Sequence, residues 1–306
     1  MFGVLQSVEH AHSDSISVSK AADCGIVASS SLDSFVKIWS EESLELKQTL
    51  KGHVLGVVSV DVEPSGLLCA SSGLDSLVNI WDCQTGQKVR SAALKIGDNW
   101  SISFLSDGRY LATGSSYGVV NLIGVVSGKI ESSLDTNDKN FIYSATFSAD
   151  GKFLACGSSN GYIYIFDLAS GQLLLKQQAH SDAVRSIKFS SDSKYLISGS
   201  QDKYIMIYDV EGMQKIATLT GFKDKVFGVT VSADSQKVAA NSIDGSIKVW
   251  DLESQNCLQT FNETVSDISN NCWAISFNRE SKIIAAFEDG SLKTLNVLKE
   301  SALKHL

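Results

Sequence analysis

The sequence has few of the features that separate domains or bind nucleic acid. Proline occurs once among 306 residues, at Pro64, and no Pro-, Gly- or Ser-rich linker interrupts the chain. This length suits one large all-β domain or two smaller ones, and the missing linker favours one continuous domain over residues 1–306. Lys and Arg are scattered and the net charge is −8. Direct binding of DNA or RNA is therefore not expected, because it needs a basic face.

Long apolar runs and paired cysteines are also missing. No stretch of about 18 apolar residues occurs, so we expect no membrane-spanning segment. The apolar stretch after Met1 covers only Phe2 to Leu5, which is too short for a signal peptide. The six cysteines include no C-x-x-C pair, and several lie in apolar runs such as 67–70, where free cysteine behaves as a small buried hydrophobe. This usage suits a reducing compartment, and we expect the cytoplasm and nucleus.

Motifs for cofactors and metals are absent as well. Neither G-x-x-x-x-G-K-[ST] nor G-x-G-x-x-G occurs, so nucleotide binding has no support. His10 and His12 are close in sequence, but no Cys, Asp or third His at ligand spacing completes a metal site with them. The sequence therefore predicts no cofactor and no metal.

The chain does contain a pattern that recurs seven times. Each copy has a turn and then a five-residue, apolar-rich run that usually ends in an aromatic residue. The end positions of the copies are 39, 81, 123, 166, 208, 250 and 295, so successive copies lie 42 to 45 residues apart. A constant period over the whole chain indicates a repeat protein.

Each repeat predicts four short strands. In the sixth repeat we expect them at 226–231, 237–241, 246–250 and 257–261, separated by turns of Asp, Ser and Gly, which tolerate the backbone angles of tight hairpins. The third strands are nearly continuous apolar runs, which indicates sheets that are buried on both faces. Seven such sheets stacked around a ring meet this requirement, so the sequence predicts an all-β, seven-bladed β-propeller.

The two ends of the chain are predicted to share the last blade. After the expected third strand of repeat seven, Ser291 to Val297, the remaining residues lack strand alternation. Phe2 to Val8 is apolar enough for a strand and has no place in repeat one. We therefore predict that this N-terminal segment is the outer strand of blade seven, which protects the strand edges by closing the ring.

Four-stranded repeats of this length, with Gly-His near the start and Trp-Asp near the end, resemble WD repeats. The clearest copies pair Gly52-His53 with Trp81-Asp82, His12 with Trp39, and His180 with Tyr208-Asp209. Ile123-Gly124 and Leu295-Asn296 replace Trp-Asp in two degenerate copies, and Phe222 stands where repeat six would have His. The resemblance covers essentially the whole chain and implies a scaffold for protein interactions rather than an enzyme.

A narrower resemblance is to the WD-repeat subunits of the superkiller (Ski) complex, which in animals also occur in the Paf transcription-elongation complex. It rests on segments 55–61, 72–75 and 133–136 and on the length of the chain. It implies a role in cytoplasmic 3′-to-5′ mRNA decay and in transcription. The implied partners are a tetratricopeptide-repeat subunit, an RNA helicase and Paf-complex subunits, for a protein that is monomeric on its own. The alternative is a reader of histone tails or other peptides in a chromatin complex, which needs an acidic or aromatic-lined pocket for a cationic side chain.

Serine, histidine and aspartate recur together in a way that imitates a hydrolase triad. The sets are His12, Ser30 and Asp33; His53, Ser72 and Asp75; and His180, Ser200 and Asp202. Three copies are more than one active site needs, and no G-x-S-x-G elbow presents the serines. WD repeats instead imply a buried network of His, Ser or Thr, Asp and Trp, in which the indole N–H needs an acceptor. The residues implied are His12, Asp33, Trp39, His53, Asp75, Trp81, His180, Asp202, Asp244 and Trp250.

Repeats three, four and five also depart from this network. Tyr208 replaces the Trp of repeat five but keeps a hydroxyl donor. Tyr117 and Asn160 stand in the Asp place of repeats three and four. No complete network is expected in those two repeats.

One position at the start of each first strand is rich in residues that dominate interfaces. It holds Val58, Trp100, Tyr143, Arg185, Phe227 and Trp273 in repeats two to seven, and Ser17 in repeat one. The resemblance places it on the top face around the central channel, together with Leu32, Leu74, Gln201, Ile243 and Glu288 before the turns. These residues are candidates for partner binding, and the alternative is that the aromatic side chains pack between blades as core.

Overall fold

The computed structural model describes residues 3–22, 24–95, 97, 100–262 and 270–297. All secondary-structure elements in this part of the chain are β-strands, and they form seven four-stranded antiparallel sheets. The predicted all-β, seven-bladed propeller is confirmed. Within the same ranges, no helix has the length and hydropathy needed to cross a membrane.

The strands are numbered in chain order, and blades two to six each run outward from their first strand to their fourth. Strand β1, Val4–Val8, belongs to blade seven. Blade one consists of β2 Ile16–Ala22, β3 Ile26–Ser31, β4 Val36–Ser40 and β5 Leu46–Leu50. Blade two consists of β6 Val57–Val62, β7 Leu68–Gly73, β8 Leu77–Asp82 and β9 Lys88–Ala93. Blade three consists of β10 Ile102–Phe104, β11 Tyr110–Gly114, β12 Val119–Gly124 and β13 Ile130–Asp135.

Blade four consists of β14 Ile142–Phe147, β15 Phe153–Ser158, β16 Tyr162–Asp167 and β17 Leu173–Gln178. Blade five consists of β18 Val184–Phe189, β19 Tyr195–Ser200, β20 Ile205–Asp209 and β21 Gln214–Leu219. Blade six consists of β22 Val226–Val231, β23 Lys237–Ser242, β24 Ser246–Asp251 and β25 Cys257–Asn262. Blade seven adds β26 Cys272–Phe277, β27 Ile283–Phe287 and β28 Leu292–Leu295 to β1.

The two ends of the chain meet in blade seven. Strand β1 is antiparallel to β28, with Val8 opposite Leu292 and Val4 opposite Leu295, and it forms the outer strand of the sheet. Beyond the strand, the Asn296 N–H donates to the Gly3 carbonyl over 2.7 Å. The predicted closure by the N-terminal strand is confirmed. The strand begins at Val4 in the structure, and Phe2, where we expected its start, lies outside the described residues.

The core lies between neighbouring blades. One cluster joins Val36 and Ile38 of blade one to Val60, Cys69 and Trp81 of blade two. The same arrangement recurs around the ring, so each sheet contributes both of its faces to a core. This explains why the third strands are apolar runs without alternation.

Side chains on the first strands also link most neighbouring blades. The Ile102 N–H donates to Ser59 Oγ over 3.2 Å, and the Ile187 N–H donates to Ser144 Oγ over 3.1 Å. Similar bonds run from Phe104, Val229, Phe277 and Ala21 to Asp61, Ser186, Thr230 and Ser276. The innermost strand of a blade has a free edge, and these bonds satisfy N–H groups that no further strand pairs with. They hold the channel wall in place.

Candidate functional site

The network in blade two connects four side chains in a chain of hydrogen bonds. Trp81 Nε1 donates to Ser71 Oγ over 2.8 Å, and Ser71 Oγ lies 2.8 Å from His53 Nε2. His53 Nδ1 lies 3.0 Å from both carboxylate oxygens of Asp75. An indole can only donate and a carboxylate can only accept. The bonds therefore run in one direction, from Trp81 through the Ser71 hydroxyl to His53 Nε2, and from His53 Nδ1–H to Asp75.

This direction requires a neutral imidazole. The Asn79 amide nitrogen lies 3.1 Å from His53 Nε2, so a proton on that ring nitrogen would face another donor. Burial lowers the pKa of His53 more than its bond to Asp75 raises it. The carboxylate of Asp75 also accepts the N–H groups of Val54 and Leu77. The network thus fixes the loop before the blade against the turn between its second and third strands.

Blades one and five have corresponding arrangements. In blade one, His12 lies 2.9 Å from Asp33 and 2.8 Å from Ser29 Oγ, which accepts the Trp39 indole N–H over 2.8 Å. Burial likewise lowers the pKa of His12. Although burial raises the pKa of Asp33, hydrogen bonds from Phe35 N–H and from His12 lower it on balance.

Blade five lacks the indole N–H donor that begins the hydrogen-bond network in blades one and two. His180 lies 2.9 Å from Asp202 and 2.8 Å from Ser198 Oγ. Tyr208 does not supply the missing donor, because its hydroxyl lies 3.9 Å from the Met206 sulfur. The phenol oxygen lies at the far end of the ring, whereas the indole N–H leaves the side of its ring. Burial raises the pKa of Asp202, but its bond to His180, the charge of His180 and the N–H groups of Tyr204 and Ser181 together lower it overall.

The serines in these networks differ from those in the sequence pattern. The structure uses Ser29, Ser71 and Ser198, whereas the pattern singled out Ser30, Ser72 and Ser200. Successive residues of a strand point to opposite faces of the sheet, which separates Ser29 from Ser30 and Ser71 from Ser72, whereas Ser200 shares the face of Ser198 and lies two residues further along. Cys69 is the cross-strand partner of Trp81, so Ser71, two residues further on, shares the face of the indole. Counting in steps of two from the residue opposite Trp81 would have found this serine.

Blade six keeps Asp244 and Trp250 without a histidine between them. Phe222 occupies the histidine place, and its ring packs edge-on against Trp250 at 5.6 Å between centroids. Asp244 instead accepts the N–H groups of Ser246 and Lys223 over 3.0 Å and 3.3 Å. The implied network is therefore not formed here. Because Phe has no polar ring atom, an apolar ring contact replaces the hydrogen-bond chain.

Blade four has a polar cluster that the sequence reasoning missed. Asp138 accepts the hydroxyl of the buried Tyr164 over 2.6 Å and pairs with Lys176 over 2.6 Å. Burial, and the bond to Asp138, raise the pKa of Tyr164 well above its usual range. Asn160, in the Asp place, accepts the Ser158 hydroxyl over 2.6 Å. In blade three, Tyr117 is 61% exposed and takes no part in such a cluster.

The residues at the start of the first strands meet around one cavity. Six of them, here called the channel mouth, line a central cavity of about 590 Å³: Val58, Trp100, Tyr143, Arg185, Phe227 and Trp273. All six are partly buried. Ser17, Leu32 and Glu288 line the same cavity. Positions that are 40 or more residues apart in sequence thus form one continuous wall.

The residues before the turns differ in their placement. Leu32 is 45% exposed and Leu74 is 50% exposed at the rim. Gln201 and Ile243 are partly buried, and neither lines the cavity. The sequence grouped these positions by equivalence in the repeat, but the structure brings only Leu32 and Glu288 of this set to the cavity.

The aromatic side chains of the channel mouth contact one another in an arc. Trp100 packs edge-on against Tyr143, with ring centroids 6.1 Å apart, and Phe227 packs edge-on against Trp273 at 4.9 Å. Arg185 joins the two pairs, because its guanidinium carbon lies 4.3 Å from the Tyr143 centroid and 5.0 Å from the Phe227 centroid. These residues therefore pack together and also face the open channel, and partner binding at this face stays a prediction.

Phe141 extends the arc and was missed by the sequence reasoning. Its ring lies 4.7 Å from Tyr143 and 5.4 Å from Trp100 between centroids. It stands two residues before the repeat position of Tyr143, where repeats two, five and six carry Gly56, Ala183 and Lys225. No aromatic residue recurs at this position, so comparison of the repeats does not single it out.

Charged groups continue down the channel. Lys20 lies 3.6 Å from Asp61, and Lys188 also lines the cavity. Burial, and then the charge of Lys20, lower the pKa of Lys188 to about 8, although Asp61 opposes the shift. The channel wall thus presents Arg185, Lys20 and Lys188 against the carboxylates of Asp61 and Glu288. A net positive lining contrasts with the charge of −8 on the whole chain.

Comparison with known proteins assigns the family. The model of the family described as "WD domain, G-beta repeat" matches residues 3–40, 44–82, 128–167, 171–209 and 213–251. These segments cover more than half of the chain, so the chain belongs to the WD-repeat family, whose propellers are generally non-enzymatic scaffolds for protein interactions. The family model passes over the first three strands of blades three and seven, the repeats in which Ile123-Gly124 and Leu295-Asn296 replace Trp-Asp. Both still form four-stranded sheets.

Two curated relatives share part of the sequence. The chain is 35% identical over 105 residues to the WD repeat-containing protein SL1-17 of Schistosoma mansoni, covering 34% of this chain and 35% of the relative. It is 32% identical over 201 residues to the WD repeat-containing protein VIP3 of Arabidopsis thaliana, covering 60% of this chain and 63% of the relative. The aligned regions span about a third of the first relative and less than two thirds of the second.

Proposed function

We propose that this WD-repeat propeller is the scaffold subunit of a Ski complex in cytoplasmic 3′-to-5′ mRNA decay and, in an animal, of the Paf transcription-elongation complex. Its partners there would be a tetratricopeptide-repeat subunit, an RNA helicase and Paf-complex subunits, in the cytoplasm and the nucleus. The observation that carries the proposal of a docking face is the channel mouth, where Trp, Tyr, Phe and Arg side chains remain partly exposed around one cavity. Residues of these types dominate the binding energy of protein interfaces.

The geometry of the Ser-His-Asp sets supports a non-enzymatic role. In blades one and two the serine hydroxyl accepts an indole N–H and contacts the histidine, so it is fully engaged inside the protein. Ser29 and Ser71 are completely buried. A nucleophile has to meet its substrate, and neither serine can do so.

The alternative function, a reader of cationic side chains, fits the channel mouth less well. Such a reader encloses its ligand cation with free aromatic faces. Here the space between Tyr143 and Phe227 is occupied by the guanidinium of Arg185. The protein's own cation fills the position that a methylated lysine would take.

Affinity purification with mass spectrometry tests the proposed function. Tagged wild-type chain is recovered from cells that express it, beside Trp273→Ala at the channel mouth and Leu67→Ala as a control. Leu67 is 65% exposed and follows the turn at the opposite end of blade two. We expect the tetratricopeptide-repeat subunit and the helicase with wild type and Leu67→Ala, and their loss with Trp273→Ala. Recovery of neither partner with wild type would contradict the Ski assignment.

A further inference from the structure

Arg185 is held in a fixed position without an acidic partner. Its guanidinium carbon lies within 5.0 Å of the centroids of two rings, Tyr143 and Phe227, which belong to the two neighbouring blades. No ion pair joins Arg185 to an Asp or Glu of residues 3–22, 24–95, 97, 100–262 or 270–297. A guanidinium carries five N–H donors in a planar fork, and the Tyr143 hydroxyl and two aromatic faces cannot satisfy all of them.

The surroundings of Arg185 favour an anion at the channel mouth. The Arg185 guanidinium is partly buried, and this burial lowers its pKa, although the charge of Tyr143 and a hydrogen bond with it oppose the shift. The next charges down the channel are Lys188 and the pair of Lys20 with Asp61. Of the two carboxylates on the cavity wall, Asp61 faces Lys20, and Glu288 accepts a bond from the Asn271 amide over 2.7 Å. Neither neutralises Arg185.

We infer that the channel mouth binds a carboxylate-bearing side chain of a partner protein, with the carboxylate paired to the guanidinium of Arg185. Apolar atoms beside that carboxylate would lie against Trp273, Leu32 and Val58, which line the same cavity. A protein partner is favoured over nucleic acid because the cavity mixes three cations with two carboxylates and apolar side chains, and the chain has a net charge of −8 rather than a basic face. The inference rests on the proposed function, since it names the chemistry of the partner at the proposed docking face.

A peptide selection tests this inference with the full chain. A random peptide library is selected on immobilised protein, and the best peptide is synthesised with its acidic residue and with the matching amide, Gln for Glu or Asn for Asp. We expect enrichment of Asp or Glu next to an apolar residue, and about tenfold weaker binding of the amide peptide, because the amide cannot form a charge-assisted fork with Arg.

Substitutions of Arg185 locate the effect. Arg185→Gln should weaken binding of the acidic peptide about tenfold and remove its advantage over the amide peptide. Arg185→Lys should give an intermediate loss, because it keeps the charge without the planar fork. Arg109→Gln is the matched control: Arg109 follows the turn at the far end of blade three, and its side chain is 74% exposed. Melting temperatures of all variants show whether a loss of binding follows a loss of fold.

The outcomes separate this inference from the proposed function. Selected peptides that depend on Trp273 but prefer basic residues, or no charge, would overturn the inference and leave the docking face intact. Binding of a single-stranded RNA oligonucleotide that Arg185→Gln abolishes would overturn it in favour of phosphate. If no selected peptide depends on Trp273, both the inference and the docking face are contradicted.

Discussion

Ser71 and Ser72 are adjacent on one strand and both are completely buried, yet only Ser71 takes part in the network of blade two. The Ser72 hydroxyl has no hydrogen-bond partner among the described residues. The reason is the alternation of the strand, which turns one side chain toward Trp81 and the other to the opposite face. Two identical residues in the same degree of burial thus have different energetic roles.

This pair gives a direct test of the network. Ser71→Ala removes the hydroxyl that joins Trp81 to His53, so it leaves the buried Trp81 indole N–H without its acceptor, while His53 Nε2 keeps the Asn79 amide. The loss should cost about 1–3 kcal/mol. Ser72→Ala removes a hydroxyl that is already unpaired, so the free energy of unfolding should change by less than about 0.5 kcal/mol or rise. Urea titration of the two variants measures both values. Equal losses would show that the assignment of Ser71 is wrong.

The buried histidines predict how stability depends on pH. The pKa of His12 and His53 is lowered in the folded protein, so the unfolded chain binds protons more readily. Their contribution to stability is complete above the ordinary imidazole value of 6.5 and declines as the pH falls below it. Asp33 and Asp202, whose pKa values are lowered from 3.8, add a further loss as the pH falls below that value.

The histidine effect is measured by urea titration between pH 7.5 and about 5, a range in which paired carboxylates contribute little. His53→Gln should be less stable than wild type at neutral pH and should show a shallower decline on acidification. His10→Gln, at an exposed histidine, should follow the wild-type curve. A wild-type stability that stays flat between pH 7.5 and 5 would contradict the neutral, buried histidines.

The closing strand predicts that the two ends of the chain stabilise the whole ring. Deletion of residues 1–9 removes β1 and leaves the β28 edge unpaired, so the melting temperature should fall by more than about 4 °C. A synthetic peptide of residues 1–9 should restore part of the loss, and a scrambled peptide should not. A deletion variant that melts at the wild-type temperature would mean that β1 contributes nothing to closure.

Blade four offers a test of its own polar cluster. Tyr164→Phe removes a buried hydroxyl that donates to a carboxylate, so it should cost about 1–3 kcal/mol. Tyr204→Phe is the matched control, since Tyr204 is 44% exposed. Similar unfolding free energies for the two variants would show that the Asp138 cluster does not stabilise the blade.

The fold was predictable because its signals repeat. Seven copies of one apolar run fix the number of blades, and the N-terminal segment, which fits no repeat of its own, points to the closing strand. The His, Asp and Trp of blades one and two could be assigned to the network from the sequence, because a buried indole N–H needs an acceptor and the resemblance to WD repeats implies the His and Asp. Ser71 and Ser29 could not be separated from their serine neighbours by composition alone, because only the strand register decides which face each one takes.

The sequence predicted which residues form the channel mouth, but not how their side chains are arranged. Ring symmetry places equivalent residues around one cavity, so the grouping of Trp100, Arg185 and Trp273 followed from the repeat. The position of the Arg185 guanidinium between Tyr143 and Phe227 depends on side-chain lengths across two blade boundaries. Asp138 stands at the repeat position of His53 and His180 but is a different residue type, and no aromatic residue recurs at the position of Phe141, so the repeat pattern did not single out either one.

The central claim is that the channel mouth is the surface on which a partner protein docks. Partner affinity and melting temperature, measured on the same preparations of wild type, Trp273→Ala and Leu67→Ala, test it most directly. We predict that Trp273→Ala weakens binding by about 2 kcal/mol, the scale of an interface hot spot, while it remains folded and Leu67→Ala binds as wild type. A folded Trp273→Ala protein that binds its partner with wild-type affinity would contradict the claim.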